Sequence, residues 1–363
     1  MTEVASGILR LELPIRLPGL GHVNCYAIPD ARGAALVDPG LPGPGTWGAL
    51  RERLAQAQLR PRDIHTVIVT HSHPDHFGCA SRLAREMGAT VVAHRSFRFG
   101  PYATNESEVS VDDLAAHHRH TREIHGSPVR DHELPDRMKA VLEERDARLA
   151  RARTTRRTPW GTPRRQVAPP LVRLWWHAAH WVGRSFVPRI THPVEHGDRI
   201  ELANREWRVV HTPGHTADHF CLHDPEGQVL LAGDHVLPTI TPHISGMGVS
   251  PDPLAAFFHS LDRIAATRNV ERVLPAHGHP FTNLVARTES IKRHHLERLA
   301  RVVEISREIG PATVPEFAQR LFEPRSWGIM AESETFAHLE HLRIAGDAER
   351  HEAPDGSLVY EAG

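Results

Sequence analysis

Thr70-His71-Ser72-His73-Pro74-Asp75-His76 carries four strong metal-ligand candidates in close succession: His71, His73, Asp75 and His76. Imidazole and carboxylate at this density suit a borderline divalent cation such as zinc. The chain holds 29 His, so one alone carries little weight, and it is the cluster that points to metal chemistry. The segment follows Thr66-Val67-Ile68-Val69, a β-branched run that reads as a buried strand. It precedes Phe77, after which Ala80, Leu83 and Ala84 keep a helical period. The four ligands are therefore expected on a strand-to-helix loop. Pro74 fixes one torsion there and helps hold the loop open.

The His-x-His-x-Asp-His spacing resembles the motif of the metallo-β-lactamase superfamily. Residues 211–216, His-Thr-Pro-Gly-His-Thr, are similar to the family's T-P-G-H-T turn, which implies His215 as a ligand. Residues 231–235, Leu-Ala-Gly-Asp-His, resemble its Gly-Asp element and imply Asp234. Residues 275–279, Pro-Ala-His-Gly-His, resemble its last element and imply His277. Asp38, in Leu36-Val37-Asp38-Pro39-Gly40, fits the family's early strand-end Asp. The likeness covers about residues 10–100 and 190–285.

The resemblance implies an α/β fold, a four-layer αββα sandwich with metals at one sheet edge. It divides the side chains into His71, His73 and His215 around one ion and Asp75, His76 and His277 around another, with Asp234 bridging. Two ions ~3.5–4 Å apart hold a bridging water and lower its pKa from about 16 toward about 7. A metal-bridging hydroxide would then attack an ester, thioester or lactone of a small molecule, with Asp75 as the catalytic proton acceptor. Zinc fits the all-nitrogen-and-oxygen set first, and iron or manganese fit it as well. His219, His235 and Asp38 are expected to orient ligands. His243 and His279 are set aside. The turn and the Gly-Asp element resemble the glyoxalase II-like branch, which includes hydroxyacylglutathione hydrolases. Residues 285–363 do not match that branch's glutathione-binding tail. The alternative is a nuclease or phosphodiesterase acting on RNA or a nucleotide, because some relatives with a winged-helix-like tail cut RNA.

Composition sets outer bounds. With 363 residues, 40% apolar and 24% charged, the chain has the make-up of an ordinary globular protein. Its formal net charge of -1 gives no global attraction to nucleic acid or membrane. The amino terminus lacks a basic start with an apolar core, and no run is long enough to span a bilayer, so a cytoplasmic location is the default expectation. Cys25, Cys79 and Cys221 are isolated and read as buried reduced thiols.

Strand and helix patterns alternate over residues 8–93: strands up to Leu36-Val37, a helix over about 46–59, strand 64–69, helix 77–87 and strand 90–93. Residues 100–190 break this pattern and read as a helical insertion. Within it, Arg151, Arg153, Arg156, Arg157, Arg164 and Arg165 with Pro159 and Pro163 read as an exposed linker. Trp175, Trp176 and Trp181 fall in an amphipathic helical pattern that would form a core cap, a lid over the cleft or a basic-aromatic patch. The hydrolase domain is expected over 1–285. Residues 286–363 read as a small winged-helix-like domain, with helices at 286–308, around Phe317, and from Thr335 to Arg350, then a hairpin at Asp355-Gly356. Glu332, Glu334, Glu340, Asp347, Glu349 and Glu352 make this tail a poor phosphate surface, so a structural or homodimerising role is favoured.

Overall fold

A computed structural model describes residues 1–17, 20–99, 110–125, 129–155, 157–163, 186–248 and 250–363. One sheet runs in sequence order through β1 (Thr2–Ala5), β2 (Ile8–Leu17), β3 (Leu20–Asp30), β4 (Gly33–Val37), β5 (Ile64–Val69), β6 (Thr90–His94) and β7 (His192–Val194). Its first four strands are antiparallel, and from β4 onward pairing is parallel. A second sheet holds β8 (Arg199–Leu202), β9 (Arg205–His211), β10 (Phe220–Asp224), β11 (Val229–Gly233) and β12 (Arg272–Pro275), side by side in reverse order.

Side chains alternate between faces along a strand. In β5, Ile68 points into the cluster between the sheets, with Tyr26, Val37, Trp207, Phe220 and Leu274. Its neighbours Val67 and Val69 point the other way, onto Leu50 and Leu54 of α1 (Pro44–Gln56). Both faces are buried there, so Val67-Ile68-Val69 reads as an unbroken apolar run rather than an alternating one. On the far side of the second sheet, Cys221, Leu230 and Val273 pack with Phe257, Phe258 and Leu261. Helix, sheet, sheet, helix is the expected order of layers. All three cysteines are buried and unbridged, as expected.

Two local expectations are corrected around the first motif. Helix starts at Pro74, not Phe77: α2 (Pro74–Phe77) is one turn long, and α3 (Ala80–Met87) follows. Asp75 and His76 therefore lie on a helix rather than a loop. Pro74 takes the first helical position, where its missing N–H leaves nothing unpaired and its fixed φ suits the turn.

The insertion is helical where described. The helices α4 (Val111–His125) and α5 (Leu134–Thr155) pack through Leu114, Leu134, Met138 and Val141. The Arg-rich stretch is not an exposed linker: Arg151 and Arg153 fall within α5. Arg157 donates to the carbonyls of Gly161 and Asp355. Trp160 is fully buried, with its indole N–H on Glu332. Arg156, Arg164, Arg165, Trp175, Trp176 and Trp181 lie outside the described residues.

The next helix is α6 (Pro253–Ala265), which supplies Phe257, Phe258 and Leu261 to the outer layer. Then come α7 (Leu284–Ile309), β13 (Ala312–Thr313), α8 (Val314–Leu321), α9 (Ile329–Ala345), β14 (Ala348–Glu352) and β15 (Leu358–Ala362). The third tail helix thus begins at Ile329 and ends before Gly346, earlier at both ends than the expected Thr335–Arg350. Residues 348–352 are a strand. The turn at Asp355-Gly356 is present, with Asp355 accepting from the Ser357 N–H. Phe317, Leu339 and Tyr360 share one apolar cluster with Phe257 and Leu230, so the tail is packed onto the second sheet's outer layer.

Glu340 ties these parts together. Its buried carboxylate accepts from Arg148 of α5, Arg343 of α9, Arg350 of β14 and the Tyr360 hydroxyl of β15. It is therefore not part of an acidic surface. Burial works against its charge, and Arg343 and Arg148 outweigh burial, so its pKa is held below the ordinary value of 4.5. A carboxylate depressed in the fold contributes stability above its unfolded pKa and loses it as pH falls through the folded value. Glu340→Gln is expected to cost about 3–5 kcal/mol at pH 7, because Arg148, Arg343 and Arg350 lose the buried carboxylate they share, although Arg343 and Arg350 keep the half-exposed Glu144. Urea midpoints at pH 7 and in acid check this. The gap between variant and native protein should shrink as acid protonates Glu340, and an equal gap at both pH values contradicts the account.

Candidate metal centre

Each candidate ligand leaves the end of a buried strand. His71 and His73 follow β5, and Asp75 and His76 ride on α2. His215 lies in the turn joining β9 to β10, Asp234 follows β11, and His277 follows β12. Gly233 lets the chain turn sharply ahead of Asp234. It sits at φ +51°, and a Cβ there would meet His219 Nε2 at 2.5 Å. His219 instead accepts the Asp234 backbone N–H at 3.0 Å and so fixes the base of that ligand.

The seven side chains converge into two adjacent groups. His71, His73, His215 and Asp234 form one, and Asp75, His76 and His277 the other, each with candidate atoms within 4.8 Å. Asp234 touches both: Oδ2 lies 3.6 Å from His215 Nε2 and 3.5 Å from His76 Nε2, and Oδ1 lies 3.4 Å from His277 Nε2.

Tautomers follow from what the other ring nitrogens face. His215 Nδ1–H donates to the His243 carbonyl at 2.7 Å, and His277 Nδ1–H to the His22 carbonyl at 2.8 Å. A carbonyl can only accept, so in the neutral ring each Nε2 points its lone pair toward the cluster. Thr70 Oγ1–H donates to Asp38 at 2.8 Å, which leaves its oxygen to accept from His71 Nδ1–H at 3.1 Å. His71 Nε2 is then a lone pair as well. His73 Nδ1 lies 3.0 Å from both His71 Nε2 and His215 Nε2. One proton cannot satisfy three nitrogens at that spacing. Tetrahedral nitrogen ligands on zinc, with bonds of about 2.0–2.1 Å, stand about 3.3 Å apart. His76 Nε2 and His277 Nε2 of the second group, and the Asp234 Oδ1 that faces them, are buried without a hydrogen-bond partner. Both groups fit a cation far better than they fit one another.

Burial opposes charge on Asp75, Asp234, His76 and His277 alike, yet the two carboxylates raise His76 above its usual value and His277 to about 10, and these imidazoles in turn hold both carboxyls below their usual range. A cation bound there would take the place of those protons. Burial, followed by His215 and His76, pushes His73 down to about 3, leaving it a neutral donor of electrons.

Of the three residues expected to orient ligands, Asp38 does so. It accepts from His76 Nδ1–H at 2.9 Å and from the Thr70 N–H and hydroxyl. His219 braces the Asp234 backbone. His235 packs edge-on against Phe257 with ring centroids 5.1 Å apart, inside the second sheet's outer layer. The sequence does not point to the carbonyls of His22 and His243, because a backbone group leaves no mark in it, nor to Asp218. This side chain accepts from the Ser72 hydroxyl at 3.0 Å, and burial raises it to about 6.

A family model of the metallo-beta-lactamase superfamily matches residues 18–277. This chain belongs to the metallo-β-lactamase superfamily. A metallo-beta-lactamase family protein from Thermus thermophilus has a similar structure, 28% identical with a TM-score of 0.70, over 99% of this chain and 100% of that one. The likeness therefore takes in the insertion and the tail. A hydroxyacylglutathione hydrolase of Maricaulis maris is 35% identical over 133 residues, 36% of this chain and 50% of that protein. An atrochrysone carboxyl ACP thioesterase of Aspergillus aculeatus is 28% identical over 143 residues, 39% of this chain and 43% of that protein. The chain thus spans about half or less of the length of these curated relatives. No helix among the described residues is long and apolar enough to cross a membrane.

Asp38 stands at φ +56°, a backbone region that Asn tolerates as well as Asp. Asp38→Asn therefore removes the charge behind His76 without changing backbone demands. Zinc affinity is expected to fall about 10–100-fold, the usual cost of losing a partner behind a ligand. Chelator competition measures it, and an unchanged affinity contradicts the orienting role.

Proposed function

We propose that this chain is a binuclear metal-dependent hydrolase of a small-molecule thioester or ester. His71, His73 and His215 would hold one ion and Asp75, His76 and His277 the other, with Asp234 shared. The observation that carries this reading is the pair of adjacent lone-pair clusters joined by one carboxylate. When bound, two divalent ions supply a water that ionises near neutral pH and positive charge for a carbonyl oxygen. Zinc suits the nitrogen and oxygen donors, and metal analysis decides between it, iron and manganese.

The chain's own groups do the rest. Asp38 and the His22 and His243 carbonyls keep three imidazoles aimed inward. Asp75 turns Oδ2 toward His76 and His277, both at 3.5 Å, which leaves Oδ1 to hold the proton of the attacking water. The thioester preference rests on the names of the two partial relatives, a hydroxyacylglutathione hydrolase and an ACP thioesterase. We read residues 286–363 as a winged-helix-like unit, from their order of helix, strand, helix, helix and hairpin. Its role here is structural, because Glu334 and Glu340 face inward onto arginines.

The test is metal content per chain beside a panel of thioesters, esters, lactones and phosphodiesters. About two ions with carbonyl turnover is the expected result. Turnover of phosphodiesters alone would replace the reading with a nuclease. Asp75→Asn is expected to keep the native circular dichroism spectrum while turnover falls by at least about 100-fold, the lower range for a lost proton acceptor. Undiminished turnover would exclude the proposed role of Asp75.

A further inference from the structure

The three-histidine half of the centre relies on a carbonyl that no strand or helix holds. His243, whose carbonyl fixes His215, lies between β11 and α6 in a stretch without regular secondary structure. The matching carbonyl for His277 belongs to His22 inside β3, where the sheet ladder fixes it. What grips residues 237–247 is the carboxy-terminal unit. Glu334 of α9 accepts from His243 Nδ1–H through Oε2 at 3.0 Å. Its Oε1 accepts from Arg298 of α7 at 2.5 Å. The Ser333 carbonyl and hydroxyl both accept the Gly246 N–H at 3.1 Å. A Cβ on Gly246 would meet Phe336 at 2.5 Å and the Ser333 carbonyl at 2.8 Å, so the loop lies flush on α9. Arg287 of α7 donates to the carbonyls of Leu237 and Ile240.

Glu334, His295 and His338 also lie close enough to hold a cation. Their bonding argues otherwise. His338 Nδ1–H donates to the Glu334 carbonyl at 2.7 Å, and its Nε2 accepts from His295 Nδ1–H at 3.2 Å. Both Glu334 carboxylate oxygens are taken, and the Arg298 guanidinium already supplies the positive charge. Only His295 Nε2 is left over. The cluster is a clamp.

We propose that Glu334, backed by Arg298, is a positioning residue for the metal centre: it holds the His243 carbonyl that aims His215. This rests on the reading above of His215 as a ligand. The carboxy-terminal unit is thereby part of the hydrolase site rather than an appendage to it.

The test compares full-length native protein with Glu334→Ala, Glu334→Gln and Glu316→Ala, using Co2+ in chelator competition, its visible absorption bands and metal-free melting. Glu316→Ala is the control: it removes the helix cap that Glu316 gives Thr313 at the start of α8 and touches neither the loop nor the centre. Glu334→Ala should weaken one of two Co2+ ions about 10–100-fold and shift its bands. Glu334→Gln keeps an oxygen for His243 and should recover most of the affinity. Glu316→Ala should lower the melting temperature alone. Should Glu334→Ala fail to fold, Arg298→Met is read in the same way. Native affinity and bands in Glu334→Ala overturn the proposal, as does equal weakening by Glu316→Ala. Native protein that binds no Co2+ overturns the metal reading itself, whereas two ions bound equally by native protein and Glu334→Ala overturn only this inference.

Discussion

An imidazole can aim a lone pair at a cation only while its other nitrogen is tied down. At this centre that second bond is made four times, to Thr70, Asp38 and the His243 and His22 carbonyls. The acceptors come from different parts of the chain. Asp38 follows β4, His22 lies in β3, and His243 lies in a loop pressed onto α9. The fold can be understood as what brings those acceptors behind the ligands. Neighbouring strands of the first sheet supply the first two.

Burial makes this arrangement demanding. Seven candidate ligands are buried or half-buried and set near one another, where lone pairs and carboxylates repel unless a cation or a proton intervenes. The surrounding protein answers with rigidity rather than more charge. Gly233 turns sharply against His219, and Asp38 adopts a left-handed conformation to reach Thr70 and His76 together. The carboxy-terminal unit follows the same logic. Glu340 and Glu334 enter the interior only because arginines from neighbouring elements meet them. Their ion pairs join the insertion, the tail and the loop behind His215.

Much of this is legible in the sequence. Strand 64–69 is legible to the residue, because a β-branched run bounded by turn residues leaves little alternative. The ligand candidates were legible because their chemistry is local: four lie within one short segment, and each remaining motif is a few residues long. Errors fell where local pattern is ambiguous. A one-turn helix at Pro74 has no periodicity to read, and the bounds of α9 blur because it is buried nearly all round.

The sequence by itself determined the layered α/β fold and the His71–His76 ligand cluster, which follow from residue type and short-range spacing, and its resemblance to the family's motifs implied His215, Asp234 and His277. Only the tertiary structure decided which acceptor stands behind each imidazole, that Glu334 and Glu340 point inward, and that the Arg157–Pro163 stretch is strapped to the tail rather than free. Those outcomes depend on backbone carbonyls and on pairs separated by tens to hundreds of residues, and neither leaves a local signal. A carboxylate reads alike in a sequence whether it meets water or an arginine from another helix.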